Sequence, residues 1–273
     1  MTINCNGSLI DFNTPKVMGI LHLTPDSFYD GGRNKTEEDY LRHASRMLEE
    51  GASFIDVGAY SSRPGAVDIS EEEELQRILP VVGALVSQFP EVILSIDTFR
   101  SEVARQCVEA GAAIINDISG GNLDEQMLKT VAELKVPYIL MHMRGTPKNM
   151  VELNSYDDLV QDILLYFSQR IAEARDLGIN DLIIDPGFGF SKNIQQNFEL
   201  MSRMELFRNL ELPVLSGISR KSMIYKSLGI TPEEALNGTT VLNTVSLLKG
   251  AHILRVHDVK EAMECIKLTA PMI

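Results

Sequence analysis

The sequence contains few cysteines, no tryptophan and no long apolar run. Its three cysteines, Cys5, Cys107 and Cys265, are too few for a disulfide framework and too far apart for a CxxC metal site. We expect free thiols in a reducing cytoplasm. No apolar run approaches the roughly 18 residues of a membrane span, and the first residues lack the basic and apolar regions of a signal peptide. These features predict a cytoplasmic protein without membrane contact.

Basic residues are also in short supply. The 273 residues include 38 acidic and 25 basic side chains, for a formal net charge of −13. A nucleic-acid scaffold needs a basic face to neutralise phosphates, so we expect no nucleic-acid partner. Small anionic ligands remain compatible with this charge, because a few cations can be concentrated in one cleft.

Eight short apolar runs recur along the chain, roughly 34 residues apart, which is close to the length of one βα unit. Each run is nearly continuous in Ile, Val and Leu, as is typical of parallel strands buried on both faces. The pattern predicts an α/β protein, a single-domain (β/α)8 TIM barrel over residues 1–273 with a short N-terminal β-hairpin at 2–12. The runs are 17–22, 53–58, 92–97, 112–117, 137–142, 181–185, 213–218 and 252–256.

Helix-start signals lie between the runs. Residues 70–73 form a Ser-Glu-Glu-Glu capping box, and residues 231–234 (Thr-Pro-Glu-Glu) predict proline at the first helical position. A doubly wound sheet is the alternative architecture, but the first run is not followed by its G-x-G-x-x-G turn. The glycine-rich loop at 187–192 matches neither that fingerprint nor a P-loop. It predicts a tight turn beside a ligand.

Polar side chains stand at the ends of essentially all eight runs. In a barrel these ends converge on one mouth, where active sites are built. The carboxylates and amide suit a flat ring with adjacent N–H donors, and Arg63, Lys221, Arg255 and His257 suit phosphate or a ring carbonyl. His142 is equally well explained as a ligand or as a packed histidine. The strand-end residues are His22, Asp56, Asp97, Asn116, Asp117, His142, Asp185, Ser219, Lys221, Arg255 and His257.

Seven motifs in this chain resemble those of the dihydropteroate synthases, in family order and over nearly the whole length. They are GILHLTPDSF (19–28), SSRPG (61–65), SIDT (95–98), INDI (115–118), DPGFGF (185–190), GISRKS (217–222) and RVH (255–257). The resemblance implies condensation of 4-aminobenzoate with 6-hydroxymethyl-7,8-dihydropterin diphosphate, giving dihydropteroate and pyrophosphate by a dissociative displacement. It also implies Mg²⁺ as cofactor, sulfonamide inhibition and a homodimer, with the last helices as the natural interface.

The resemblance also implies roles for individual residues. Asp97, Lys221, Arg63 and Ser62 are implied in catalysis, and His22, Arg255 and His257 in diphosphate binding, with His22 at the metal position. The implied pterin residues are Asp97, Asn116, Met141, Asp185, Phe190, Lys221 and Arg255. The implied 4-aminobenzoate residues are Phe28, Ser62, Arg63, Pro64, Phe190, Ser219 and Lys221.

Three departures from the family pattern leave alternatives open. His22 replaces the usual Asn, Ser62 the usual Thr, and Ala59-Tyr60 the usual Gly-Glu. Imidazole is a poorer match than an amide oxygen for Mg²⁺. The alternatives are therefore a pterin-binding module like the barrel of corrinoid methyltransferases, a degenerate synthase that binds without turnover, and an unrelated phosphate-handling barrel.

Overall fold

The computed structural model describes residues 1–23, 36–61 and 67–272, and the strands within these ranges follow the predicted apolar runs. The run at 213–218 shortens most, to two residues. The strands are β1 (Thr2–Cys5), β2 (Ser8–Asp11), β3 (Lys16–His22), β4 (Phe54–Gly58), β5 (Leu94–Asp97), β6 (Ile114–Asp117), β7 (Tyr138–Met141), β8 (Leu182–Asp185), β9 (Leu215–Ser216) and β10 (Ile253–Val256).

Strands β3 to β10 form one parallel sheet in the order β8-β7-β6-β5-β4-β3-β10-β9. Its two ends meet, since Ile184 and Val214 form a parallel bridge and the Ile184 amide donates to the Pro213 carbonyl at 3.0 Å. The sheet is therefore a closed eight-stranded barrel, which confirms the predicted TIM barrel. Strands β1 and β2 pair antiparallel and confirm the N-terminal hairpin.

Helices follow the barrel strands and cover the outside of the sheet. Within the described ranges they are α1 (Glu37–Glu49), α2 (Glu71–Gln88), α3 (Ser101–Glu109), α4 (Met127–Leu134), α5 (Leu159–Asp176), α6 (Ile194–Ser202), α7 (Ser222–Leu228), α8 (Leu236–Leu248) and α9 (Val259–Thr269). Ser70 caps α2, because its hydroxyl accepts from the Glu73 amide at 3.1 Å. The predicted capping box is only half formed, since the Glu73 carboxylate accepts from Arg77.

The prediction that a helix starts at 231–234 is wrong for the first turn. Helix α8 begins only at Leu236, and the preceding residues form turns with amide-to-carbonyl bonds of 3.2 Å from Glu234 to Thr231 and from Ala235 to Pro232. The carbonyls of Pro232 and Glu233 also accept from the buried Arg220 guanidinium, at 2.9 and 2.6 Å. These tertiary contacts override the local sequence preference for a helix.

The hairpin covers the amino end of the barrel. Ile3, Cys5 and Phe12 belong to one buried apolar cluster with residues at or near the starts of the strands, among them Phe54 and Ile114. A second, larger cluster fills the space between the sheet and the helices. Only the carboxyl ends of the strands are left for a polar site. No helix in the described part of the chain is both long and apolar enough to cross a membrane.

Candidate active site

Strand pairing brings predicted site residues side by side at the carboxyl end of the barrel. Asp97 of β5 lies beside Asn116 of β6, and Met141 of β7 lies beside Asp185 of β8. Because paired residues of parallel strands face the same side of a sheet, these two rungs place a carboxylate beside an amide and a carboxylate beside an apolar wall. The convergence of polar residues predicted from the strand ends is thus present.

Arg255 joins two carboxylates across the mouth. Its Nε donates to Asp56 Oδ2 and its Nη2 to Asp97 Oδ2, both at 2.6 Å. Burial alone would lower the pKa of Arg255, but the two carboxylates hold it above its usual value. Burial likewise raises the pKa of Asp97, although Arg255 acts in the opposite direction. A charge buried this far from water needs such partners, so the three side chains form one unit.

Asp56 is a site residue at the end of a predicted strand, and the sequence did not indicate its role. Its side chain is fully buried, and its Oδ2 also accepts from Asn116 Nδ2 at 3.1 Å. This contact fixes the amide so that Asn116 Oδ1 is an acceptor for another group. Asp56 Oδ1 has no hydrogen-bond partner among the described residues. Its position on the buried strand β4 could have indicated a role, because a buried carboxylate without a partner is unfavourable.

Asp185 and Lys221 both contact the loop at 187–190. Asp185 Oδ1 accepts from the Gly187 amide at 2.8 Å, while Lys221 donates to the Phe188 carbonyl and its Nζ lies 4.7 Å from the centre of the Phe190 ring. Burial raises the pKa of Asp185, opposed by Lys221. Burial lowers the pKa of Lys221 to about 8, opposed by Asp185.

A left-handed residue separates Ser219 from Lys221. Arg220 has φ of 55°, and its guanidinium pairs with Asp258 at 2.9 and 2.8 Å, away from the mouth. The Ser219 hydroxyl instead contacts His257 Nδ1 at 2.9 Å. The salt bridge of Arg220, buried on both sides, holds this unusual backbone conformation and thereby sets the positions of its two neighbours.

The residues predicted to bind diphosphate lie together. The rings of His22 and His257 are 6.4 Å apart and nearly perpendicular, and His22 Nε2 is 3.5 Å from Arg255 Nη2. Arginine and imidazole nitrogens are suited to phosphate oxygens. The predicted walls are also apolar, since Met141 is buried in a cluster with Ile118 and Met143 against which Phe190 packs.

Some predicted residues cannot be placed, and one proves to be structural. Phe28, Ser62, Arg63 and Pro64 lie outside the described residues. His142 is buried, with Nδ1 3.0 Å from Lys192 Nζ and its ring edge-on to Tyr166 at 4.9 Å. Burial, followed by the charge of Lys192, holds the pKa of His142 well below its usual value. His142 is therefore the packed histidine of the two readings.

The described residues contain no ready-made Mg²⁺ site. Magnesium requires oxygen ligands in octahedral geometry. No group of three His, Cys, Asp or Glu side chains in the described ranges could hold a metal ion. The carboxylates of Asp56 and Asp97 already bind Arg255. His22 offers a nitrogen where the family has an amide oxygen.

Three comparisons bear on this site. The family described as "Pterin binding enzyme" matches residues 18–257. Dihydropteroate synthase of Escherichia coli strain K12 is 45% identical over 271 residues, 98% of this chain and 95% of that protein. The Yersinia pestis dihydropteroate synthase in complex with a sulfonamide drug has a TM-score of 0.95 at 42% identity, and the match covers 100% of this chain and 99% of that one.

Dihydropteroate synthase from Xanthomonas albilineans was solved with 4-aminobenzoic acid (TM-score 0.91, 39% identity) and with 7,8-dihydropteroate (0.89, 37%). These matches cover 99% and 100% of this chain and 97% and 98% of those chains. The closed TIM barrel, the polar cluster at its carboxyl end and the family match together define a pterin-binding barrel enzyme. The chain belongs to the dihydropteroate synthase family, whose members are transferases of folate biosynthesis.

Proposed function

We propose that this enzyme joins 4-aminobenzoate to 6-hydroxymethyl-7,8-dihydropterin diphosphate and releases pyrophosphate. The bond between the exocyclic methylene carbon and the diphosphate oxygen breaks, the amine nitrogen bonds to that carbon, and the amine loses a proton. One observation carries the proposal: four polar side chains at the mouth offer acceptors and a donor to one flat ring. They are Asp97 and Asn116 on neighbouring strands, Asp185 and Lys221. The complexes of relatives with 4-aminobenzoic acid and 7,8-dihydropteroate support it.

In this proposal the pterin is held by its polar edge. Asp185 Oδ1 is already bound to the Gly187 amide, so Oδ2 accepts from the ring N–H and amino group. The Asn116 oxygen, oriented by Asp56, accepts a further N–H, and Lys221 donates to the ring carbonyl or nitrogen. Met141 and Phe190 form the apolar walls.

Charge placement would then assist the departure of the diphosphate. In a dissociative step positive charge spreads onto the pterin as the carbon–oxygen bond breaks, and the carboxylate of Asp97 stabilises it. Arg255 stacks on the ring face and, with His22 and His257, binds the diphosphate. We assign the diphosphate charge to these nitrogen donors. Mg²⁺ entering with the diphosphate would be held mainly by phosphate oxygens and would add positive charge there.

We assign the 4-aminobenzoate to a pocket of Phe190, Ser219 and Lys221 together with Phe28, Ser62, Arg63 and Pro64. The last four belong to this proposal by resemblance, since they lie outside the described residues. We also propose a cytoplasmic homodimer joined through the last helices. The exposed apolar side chains Val241 and Leu248 on α8 and Leu268 on α9 support that interface.

Pyrophosphate release by the purified protein tests the proposed reaction. With both substrates present we expect release that depends on 4-aminobenzoate. A second candidate function, pterin binding without turnover, is favoured by one observation, the nitrogen of His22 at the family's oxygen position. Pterin binding by calorimetry without any pyrophosphate release would support that candidate and contradict synthase activity.

A further inference from the structure

Lys192 is a buried lysine whose amine nitrogen has three polar partners, and burial holds its pKa well below the usual range. Its Nζ donates to the Gly187 carbonyl and the Phe190 carbonyl, each at 2.9 Å, and lies 3.0 Å from His142 Nδ1. The residue is only 8% exposed. Two of these partners are backbone carbonyls, which can only accept, so the amine donates to both. None of the roles assigned above uses this lysine.

The two carbonyls are at the ends of the loop at 187–190, which carries most of the contacts of Lys221 and Asp185. Within it, the Gly187 amide binds Asp185, and the Phe188 carbonyl accepts from Lys221. The loop follows a narrow path, because Gly187 has φ of +72° and a Cβ there would lie 2.1 Å from the His142 carbonyl oxygen. A small displacement of the loop would therefore move both binding groups.

We propose that Lys192 is a positioning residue for the pterin subsite, a role that rests on the proposed function. It binds both ends of the loop to the carboxyl end of β7 through His142 and so fixes the spacing between Asp185 and Lys221. A side chain that cannot donate to both carbonyls leaves a buried acceptor unpaired, and the loop must then shift to find another partner. The pterin contacts would be lost before the fold is.

The effect should be confined to one end of the site. The diphosphate residues His22, Arg255 and His257 lie on β3 and on β10 with the loop that follows it, and Arg255 is held there by Asp56 and Asp97. Inorganic pyrophosphate is therefore a control ligand within the same protein. If Lys192 only stabilised the fold, replacing it would weaken the binding of both ligands equally.

The test compares Lys192→Met, which removes every donor, with Lys192→Gln, which keeps an NH₂ group on a shorter side chain. Calorimetry measures the dissociation constants of 6-hydroxymethyl-7,8-dihydropterin and of inorganic pyrophosphate, and thermal unfolding measures stability. Tyr138→Phe is the matched control, because it removes a buried hydroxyl that donates to Asp117 at 2.7 Å elsewhere in the barrel. Should the Met variant not fold, the Gln variant alone decides.

We expect pterin binding to weaken about tenfold or more in Lys192→Met and less in Lys192→Gln, with pyrophosphate binding unchanged. Tyr138→Phe should lower the unfolding temperature and leave both affinities unchanged. Equal pterin affinity in wild type and Lys192→Gln, or parallel loss of both ligands, would overturn the positioning role. A wild-type protein that binds no pterin would overturn the proposed function, and this role with it.

Discussion

Replacing Asp185 with asparagine changes one oxygen of the site to an NH₂ group and leaves the rest of the side chain in place. The Gly187 amide, 2.8 Å from Oδ1, needs an acceptor, so the asparagine oxygen should remain there. The new NH₂ then occupies the place of Oδ2, where the proposed pterin presents N–H donors. A favourable contact between acceptor and donors becomes a contact between donors.

The expected loss of affinity follows from the kind of bond removed. A hydrogen bond to a charged group contributes about 1.5–3 kcal/mol. Since about 1.4 kcal/mol corresponds to a tenfold change, the pterin dissociation constant should rise about 10- to 150-fold. Stability should respond differently. Burial raises the pKa of Asp185 in the folded protein. Ionised Asp185 therefore lowers the free energy of unfolding at pH values above the usual carboxylate pKa.

Calorimetric titration with the pterin and thermal unfolding near pH 7 check both expectations. Asp185→Asn should bind the pterin more weakly and unfold at the same or a higher temperature than wild type. Asp117→Asn is the matched control, because Asp117 is equally buried at the end of β6, has a pKa raised by burial and binds Tyr138 and Ser119 instead of a ligand. A dissociation constant within threefold of wild type, or an equal loss in Asp117→Asn, would refute the reasoning.

Asp56→Asn should lower kcat/KM about 10- to 100-fold in a steady-state assay, because Arg255 and Asn116 lose the charge that orients them; unchanged kinetics would contradict this role. Lys221, with a pKa of about 8, should give a kcat/KM that falls as pH rises through about 8, since the ammonium donor is lost. Lys221→Arg should move this fall to higher pH, and an unmoved profile would show that another group titrates. His22→Asn should weaken pyrophosphate binding measured with a chelator present and strengthen its dependence on Mg²⁺. Identical magnesium titrations for the two proteins would contradict this expectation.

The sequence was sufficient for the barrel because its strands are buried on both faces. Such strands are read as continuous apolar runs, and all eight lie within the predicted ranges or extend one residue beyond them, as β3 does at Lys16. The same logic placed Asp97, Asn116 and Asp185 at one end of the barrel. The prediction of helix α8 failed at its start, where a residue outside the segment decides the local structure. The turn at 231–235 is held by Arg220, which lies in another part of the chain.

The roles of Asp56 and Lys192 could not be predicted for the same reason. Each role depends on what the side chain touches, namely Arg255 and Asn116 for Asp56, and the loop carbonyls and His142 for Lys192. Sequence spacing gives the strand on which a residue stands, but it does not give its partner. For Phe28 and residues 62–64 the predictions stay predictions.

The closure of the barrel has a consequence for how the protein is made. Strand β10 pairs with β3, the first barrel strand, and Arg255 meets Asp56 across 199 residues of chain. Contacts between such distant segments are the slowest to form, and synthesis delivers the N-terminal part first. A growing chain therefore exposes two unpaired strand edges until its last strand leaves the ribosome. The barrel and the unit of Arg255, Asp56 and Asp97 in its active site are then completed in the same event.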